Sequence, residues 1–249
     1  MSLKVLTEVE QYDYRRLIGD GARLWGEVWF WLLLVAIGMR LFVPVPLIHW
    51  LRAGQWCVVF AGFIAFLSVP YLAYELIAQR VRKGTFEIER TLPYSSAGLI
   101  LSKVKVAVLV TLRWTLPLLA VCWLADPTLI SAKVYLAGSF YLNPDSPAAL
   151  LAVPMAFVWY VGLWGYMLLY MFRVGISGES LIGLYGRFVF WLLAIHVGLA
   201  WANGGVVPQP GYLGSVAAYL LIVLLLEMLL LFYVFVMFRS VRRRLRAFG

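Results

Sequence analysis

The sequence predicts an all-α membrane protein. It reads as a bundle of six transmembrane helices, with an interfacial helix before the first span and a short charged helix on the cytoplasmic surface. Three observations predict this. Hydrophobic residues make up 63% of the 249 and charged ones only 13%, with mean hydropathy +0.88, whereas a soluble domain is about half apolar and about a quarter charged. The apolar residues come in long blocks, matching the roughly 20 residues a helix needs to cross a bilayer. Lys and Arg gather between alternate blocks. Hydrocarbon offers the backbone no partners, so only helices or a closed barrel can span it. Barrel strands alternate polar and apolar residues, and these blocks do not.

Residues 1–24 form a cytoplasmic N-terminus. Tyr14, Leu17, Ile18, Gly21, Ala22 and Trp25 recur at helical spacing, with Asp13, Arg15, Arg16, Asp20 and Arg23 on the other positions. That pattern suits a short helix in the membrane interface or a solvated extension of the first span. No short apolar core with a cleavage site precedes it, so no removable signal peptide is expected.

The transmembrane domain covers residues 25–238, with spans at Trp25–Val43, Gln55–Ile77, Leu99–Leu124, Ala148–Phe172, Leu184–Trp201 and Tyr212–Phe238. Pro44-Val45-Pro46 closes the first, and Asn203-Gly204-Gly205 follows the fifth. The longest outer loop, Ala125–Pro147, carries Tyr135, Phe140 and Tyr141 and can dip back into the outer leaflet. Residues 239–249 are a basic cytoplasmic tail, expected against anionic lipid headgroups.

Orientation follows from the basic residues, which are retained on the cytoplasmic side. Lys4, Arg15, Arg16 and Arg23 precede span one, and Arg80, Arg82, Lys83, Arg90, Lys103 and Lys105 lie between spans two and three. Arg173 and Arg187 flank the loop between spans four and five, and Arg239, Arg242, Arg243, Arg244 and Arg246 follow span six. The other side receives only Arg40, Arg52 and Lys133. Both termini are therefore expected inside a cytoplasmic (inner) membrane. This topology accounts for the net charge of +9 without a nucleic-acid partner. Trp25, Trp29, Trp31, Trp50 and Trp56 cluster at span ends, as amphipathic rings do at headgroup level. Cys57 and Cys122 fall inside apolar blocks with no zinc spacing and read as small buried hydrophobes.

Residues 80–98 are the most informative. Gly84 can take positive φ and end the helix of span two. Thr85 suits an N-cap, and Glu87 and Glu89 complement the positive end of a new helix. Pro93 then stops that helix, and Ser95 or Ser96 can cap the next. The ordered set Lys83, Gly84, Thr85, Glu87, Leu92, Pro93, Ser95 and Lys103 resembles the loop between spans two and three in permease subunits of the type-2 ABC exporter family. Phe86-Glu87-Ile88 stands where that family more usually has Leu-Glu-Leu. The match covers about 20 residues by motif, and most of the chain by span layout, inside termini and the helix before span one.

The resemblance implies a coupling helix that docks in a cleft of a separate ATP-binding subunit, through Lys83, Gly84, Thr85, Phe86, Glu87, Glu89, Arg90 and Pro93. It also implies a second permease subunit, identical or similar. ATP and magnesium are expected on the partner ATPase and no cofactor on this chain, which has no phosphate loop and no Gly-Lys pair.

Three charges fall within spans, where ionisable groups are costly and often functional. Glu227 stands near the middle of span six, Arg113 in the inner part of span three and Glu75 near the inner end of span two. Glu227 reads as a pathway or dimer-interface residue, or as half of an ion pair with Arg113 or another polar group. His49 and His196 have no metal-binding company, and no catalytic or metal residues are expected. The alternatives to a permease are a non-catalytic scaffold or accessory subunit, and an intramembrane enzyme. The enzyme reading lacks a paired acid and base or an activated nucleophile.

Overall fold

The structure is a computed structural model that describes residues 7–19, 30–38, 41, 47–91, 95–125, 149–191 and 216–247. All regular structure among them is helical. In chain order, α1 is Glu8–Ile18 and α2 covers residues 30–38. Helix α3 runs over Leu47–Ala73, passes through a π-helical turn at Tyr74–Ala78 and finishes in Gln79–Arg82. Then come α4 at Thr85–Thr91, α5 at Ser96–Ala125, α6 at Ala149–Gly175, α7 at Leu181–Trp191 and α8 at Val216–Ala247.

Four of these helices are long and apolar enough to cross a membrane, within Val59–Arg82, Ser96–Leu124, Phe157–Gly175 and Leu224–Ala247. At about 1.5 Å per residue they reach or exceed the roughly 30 Å hydrocarbon layer. Their outward faces are greasy. Leu101, Leu112, Leu116 and Trp123 stand out from α5, and α8 exposes Leu221, Leu224, Leu225, Met228 and Phe232. Apolar surface on this scale fits lipid, not water. Pro70, Pro117 and Pro154 sit inside α3, α5 and α6, where membrane helices tolerate proline better than soluble ones.

Several expected boundaries move. Helix α3 begins at Leu47, ahead of the expected Gln55, and takes in His49 and Arg52. Helix α7 begins at Leu181, where Ser180 caps it by accepting from the Gly183 N–H at 3.1 Å. The expected continuation of span five to Trp201 lies outside the described residues, as do about half of span one and the loop 126–147. Helix α8 stays helical through Ala247, so the expected basic tail is helical as far as that residue.

The chain divides into two compact units: residues 1–68 with 98–135, and residues 69–97 with 136–249. In the first, α1 opens on a capping box. Thr7 Oγ1 accepts from the Glu10 N–H at 3.4 Å, and Glu10 Oε2 accepts from the Thr7 N–H at 2.8 Å. The face of α1 that carries Glu10, Asp13, Tyr14 and Leu17 turns toward α5. Lys103 Nζ meets Asp13 Oδ2 at 2.7 Å, with the two side chains 1% and 0% exposed. Lys105 Nζ lies 3.1 Å from Glu10 Oε2, and Arg113 Nη1 donates to the Tyr14 hydroxyl at 3.4 Å. Asp13, read among the polar positions of this helix, is among its most buried side chains. Arg15 and Arg16 do face outward. Farther along, Ser68 Oγ and Thr111 Oγ1 share a hydrogen bond at 3.4 Å, and Thr115 Oγ1 donates to the Thr111 carbonyl at 3.0 Å.

In the second unit, α8 packs along α6 through a stripe of Leu230, Met237, Val241 and Leu245. Gly162 on α6 lets Leu230 approach so closely that an added Cβ would meet Leu230 Cδ2 at 3.0 Å. The π turn of α3 also packs on α6, where a Cβ at Gly175 would touch Ala78 at 3.5 Å. In the turn the Gln79 N–H donates to the Tyr74 carbonyl, five residues back.

Candidate functional site

The end of the second unit that carries α4 brings together segments remote in sequence. Helix α3 terminates where the Lys83 N–H donates to the Gln79 carbonyl at 3.0 Å and the Gly84 N–H to the Val81 carbonyl at 3.1 Å. Gly84 takes φ +71°, a left-handed conformation that costs glycine almost nothing. This is the helix-ending role the sequence predicts for it.

Thr85 differs from expectation. It is the first residue of α4 rather than its cap, and its hydroxyl donates back to the Arg80 carbonyl at 3.4 Å. The hydroxyl thus closes the end of α3.

The faces of α4 are also not those expected. Phe86 turns inward and is 5% exposed, and Glu89 forms an ion pair with the buried Arg80. Lys83, Glu87, Ile88 and Thr91 face outward, Ile88 at 68% exposure. Phe86 and Glu89 thus anchor the helix to its own chain, and of the expected coupling residues on α4 it is Glu87 that stands on the outward face, beside Ile88. The Arg90 side chain and Pro93 lie outside the described residues.

Two further segments brace this end. The turn after α6 is closed by the Ser177 N–H to Val174 carbonyl bond at 3.0 Å and the Gly178 N–H to Gly175 carbonyl bond at 2.8 Å. Gly178 again takes φ +71°, and a Cβ there would lie 3.4 Å from Arg82 Cγ. From α8, Arg244 Nη1 donates to the Arg173 carbonyl at 3.4 Å and to Ser177 Oγ at 3.2 Å. Glu179 pairs with Arg187 at 3.5 Å. The ends of α3, α6 and α8 thus form one platform, and α4 is held to its α3 part by the Thr85 hydroxyl and the Arg80–Glu89 pair.

The intramembrane charges separate into different environments. Glu227 is 6% exposed, and its Oε1 has no hydrogen-bond partner among the described residues. Arg113 is exposed and engages Tyr14, while Glu75 is half-buried within the π turn. Glu227 shares the stripe of Leu230 and Met237, so it lies on the packed side of α8 and not on its exposed apolar side.

Among the described residues no three His, Cys, Asp or Glu side chains gather as a metal site. His196 and the side chain of His49 lie outside the described residues.

Sequence reading passed over Asp13, Glu10 and Arg80 as site residues. A signal for the first two existed. Lysines in the first turns of an apolar span need counter-charges, and Glu10 and Asp13 stand three apart on one helical face. No family model, curated protein or solved structure matches the chain.

Proposed function

We propose that this chain is the membrane permease subunit of an ATP-driven exporter, similar to the type-2 ABC exporter permeases. In this reading six spans cross a cytoplasmic membrane with both termini inside, α7 being the start of the fifth and residues 30–38 part of the first. Helix α4 is the coupling helix and meets an ATPase carried on another polypeptide. Two permease subunits, identical or similar, form the pathway.

The observation that carries the proposal is the mounting of α4. A short helix stands between two membrane-length helices, pinned by Phe86 and the Arg80–Glu89 pair, and presents Glu87 and the 68% exposed Ile88 outward. An exposed isoleucine beside a carboxylate on a braced helix suits a cleft that is apolar within and basic at its rim. A rigid mount is also what force transmission requires, since a loosely tethered helix would move without moving the spans.

The test is affinity purification of the full chain in mild detergent, with co-eluting proteins identified. An ATP-binding subunit that is retained by the parent and lost from Ile88→Arg with Glu87→Lys is the expected result. A preparation without an ATPase, or with one indifferent to both substitutions, overturns the permease reading and favours an accessory subunit. Phe86→Ala is a separate probe, expected to loosen α4 itself and to be read by proteolysis between Lys83 and Ser95.

A further inference from the structure

Helix α8 changes character along one face. Phe232, Phe235 and Val236 stand 58%, 50% and 42% exposed. On the same face follow Arg239, Arg243 and Arg246, all exposed. Positions 232, 235, 239, 243 and 246 are three or four apart, so they form one continuous stripe. Met237, Val241 and Leu245 line the buried side and are 9%, 0% and 3% exposed. The arginines divide accordingly. Arg244 is occupied by the Arg173 carbonyl and Ser177, and Arg242 is half-buried. Arg239, Arg243 and Arg246 make no ion pair among the described residues. At the junction, the Arg239 guanidinium lies over the Phe235 ring, 4.7 Å from its centroid.

We propose that this stripe is a binding site for an anionic phospholipid, with its acyl chains along Phe232, Phe235 and Val236 and its phosphate held by Arg239, Arg243 and Arg246. The helix has 32 residues, about 48 Å, against a hydrocarbon layer of roughly 30 Å. With about 20 of these residues, 216–235, in the hydrocarbon, its last turns stand in the headgroup region. The rise from Arg239 to Arg246 is about 10 Å, enough to cross one headgroup layer. Guanidinium groups bind phosphate oxygens in pairs of parallel hydrogen bonds. Stacking on Phe235 holds Arg239 at the boundary between chain and headgroup. A basic helix in solution would need no apolar continuation of the same stripe; a lipid site needs both halves. This inference rests only on α8 crossing a membrane and stands apart from the transport reading.

The test is native mass spectrometry of the full chain, purified in mild detergent. It is titrated with phosphatidylglycerol or phosphatidylcholine of identical acyl chains, at several salt concentrations. Preferential retention of phosphatidylglycerol, weakening with salt, is expected. Arg239→Gln, Arg243→Gln and Arg246→Gln should each lower that retention by about fivefold, and the triple variant by about two orders of magnitude. Phosphatidylcholine, whose choline offsets the charge of its phosphate, should lose much less. The single variants keep the test decisive if the triple variant fails to assemble. Equal retention of the two lipids overturns the proposal, as does undiminished phosphatidylglycerol binding by the singles. Two controls also bear on it. A loss of equal size in Arg187→Gln would reduce the effect to general charge, and displacement by equimolar inorganic phosphate would make free phosphate the occupant. Either result overturns the lipid site.

Discussion

Asp13→Asn should be among the most damaging conservative substitutions in this chain, although it removes no atom from the heavy-atom skeleton. The Lys103 ammonium sits 2.7 Å from the Asp13 carboxylate, with the side chains 1% and 0% exposed. Water therefore cannot replace the lost charge. Removing one member of a buried ion pair costs about 3–5 kcal/mol, because the other is left charged and poorly solvated. For a chain of this size, 1 kcal/mol moves the melting temperature by roughly 2–4 °C, so a fall on the order of 10 °C is expected. The assay is the temperature at which half of the purified protein stays monodisperse in detergent. Asp13→Leu combined with Lys103→Met should recover most of the loss, since both charges then disappear together. Glu10→Gln is the internal comparison. Lys105 is 39% exposed, so this change should cost only about 1 kcal/mol, including the weakened capping box. The reasoning fails if Asp13→Asn melts within about 3 °C of the parent, or if the double variant is no better than the singles.

Three other substitutions test separate parts of the structure. Gly84→Ala meets open space but must hold φ +71°, so it should cost about 1–2 kcal/mol; Gly84→Asn should cost less, and thermal melting distinguishes them. Glu227→Gln replaces a buried carboxylate whose Oε1 has no partner among the described residues. It should raise the melting temperature, by the equivalent of about 1 kcal/mol, while lowering transport if Glu227 lines the pathway; a lower melting temperature would reveal a counter-charge. Gly162→Ala asks the flexible end of Leu230 to yield from 3.0 Å and should be mild. Gly162→Leu should cost about 1–3 kcal/mol by overpacking, measured as lost thermal stability.

The positions of long helices were legible in the sequence because lipid imposes one rule on every residue of a span. Leu99–Leu124 was expected and α5 covers it, since a predominantly apolar stretch of that length has to be helical to satisfy its backbone in lipid. Gly84 was legible for a local reason, because a helix followed by another helix needs a residue tolerant of positive φ. What escaped were facts of pairing. Asp13 looks solvated beside Arg15 and Arg16, and its burial against Lys103 depends on a residue ninety positions away. Phe86 and Ile88 are both apolar neighbours on a seven-residue helix. Which of them faces inward depends on where Arg80 pulls Glu89, and periodicity over so short a helix does not decide it.

The π turn at Tyr74–Ala78 sets that choice from a distance. One extra residue in a turn advances everything after it by about 100° relative to an unbroken α-helix. Leu76, Ile77, Ala78 and Arg80 are all buried, an almost consecutive run that a single helical stripe would not produce. The bulge works as a phase shifter between the span and the platform. Upstream residues keep the register that suits the membrane, and downstream ones the register that turns Arg80 inward to seize Glu89. The azimuth of α4, and so which of its side chains turns outward, is thereby encoded in the length of the preceding helix, counted to a single residue.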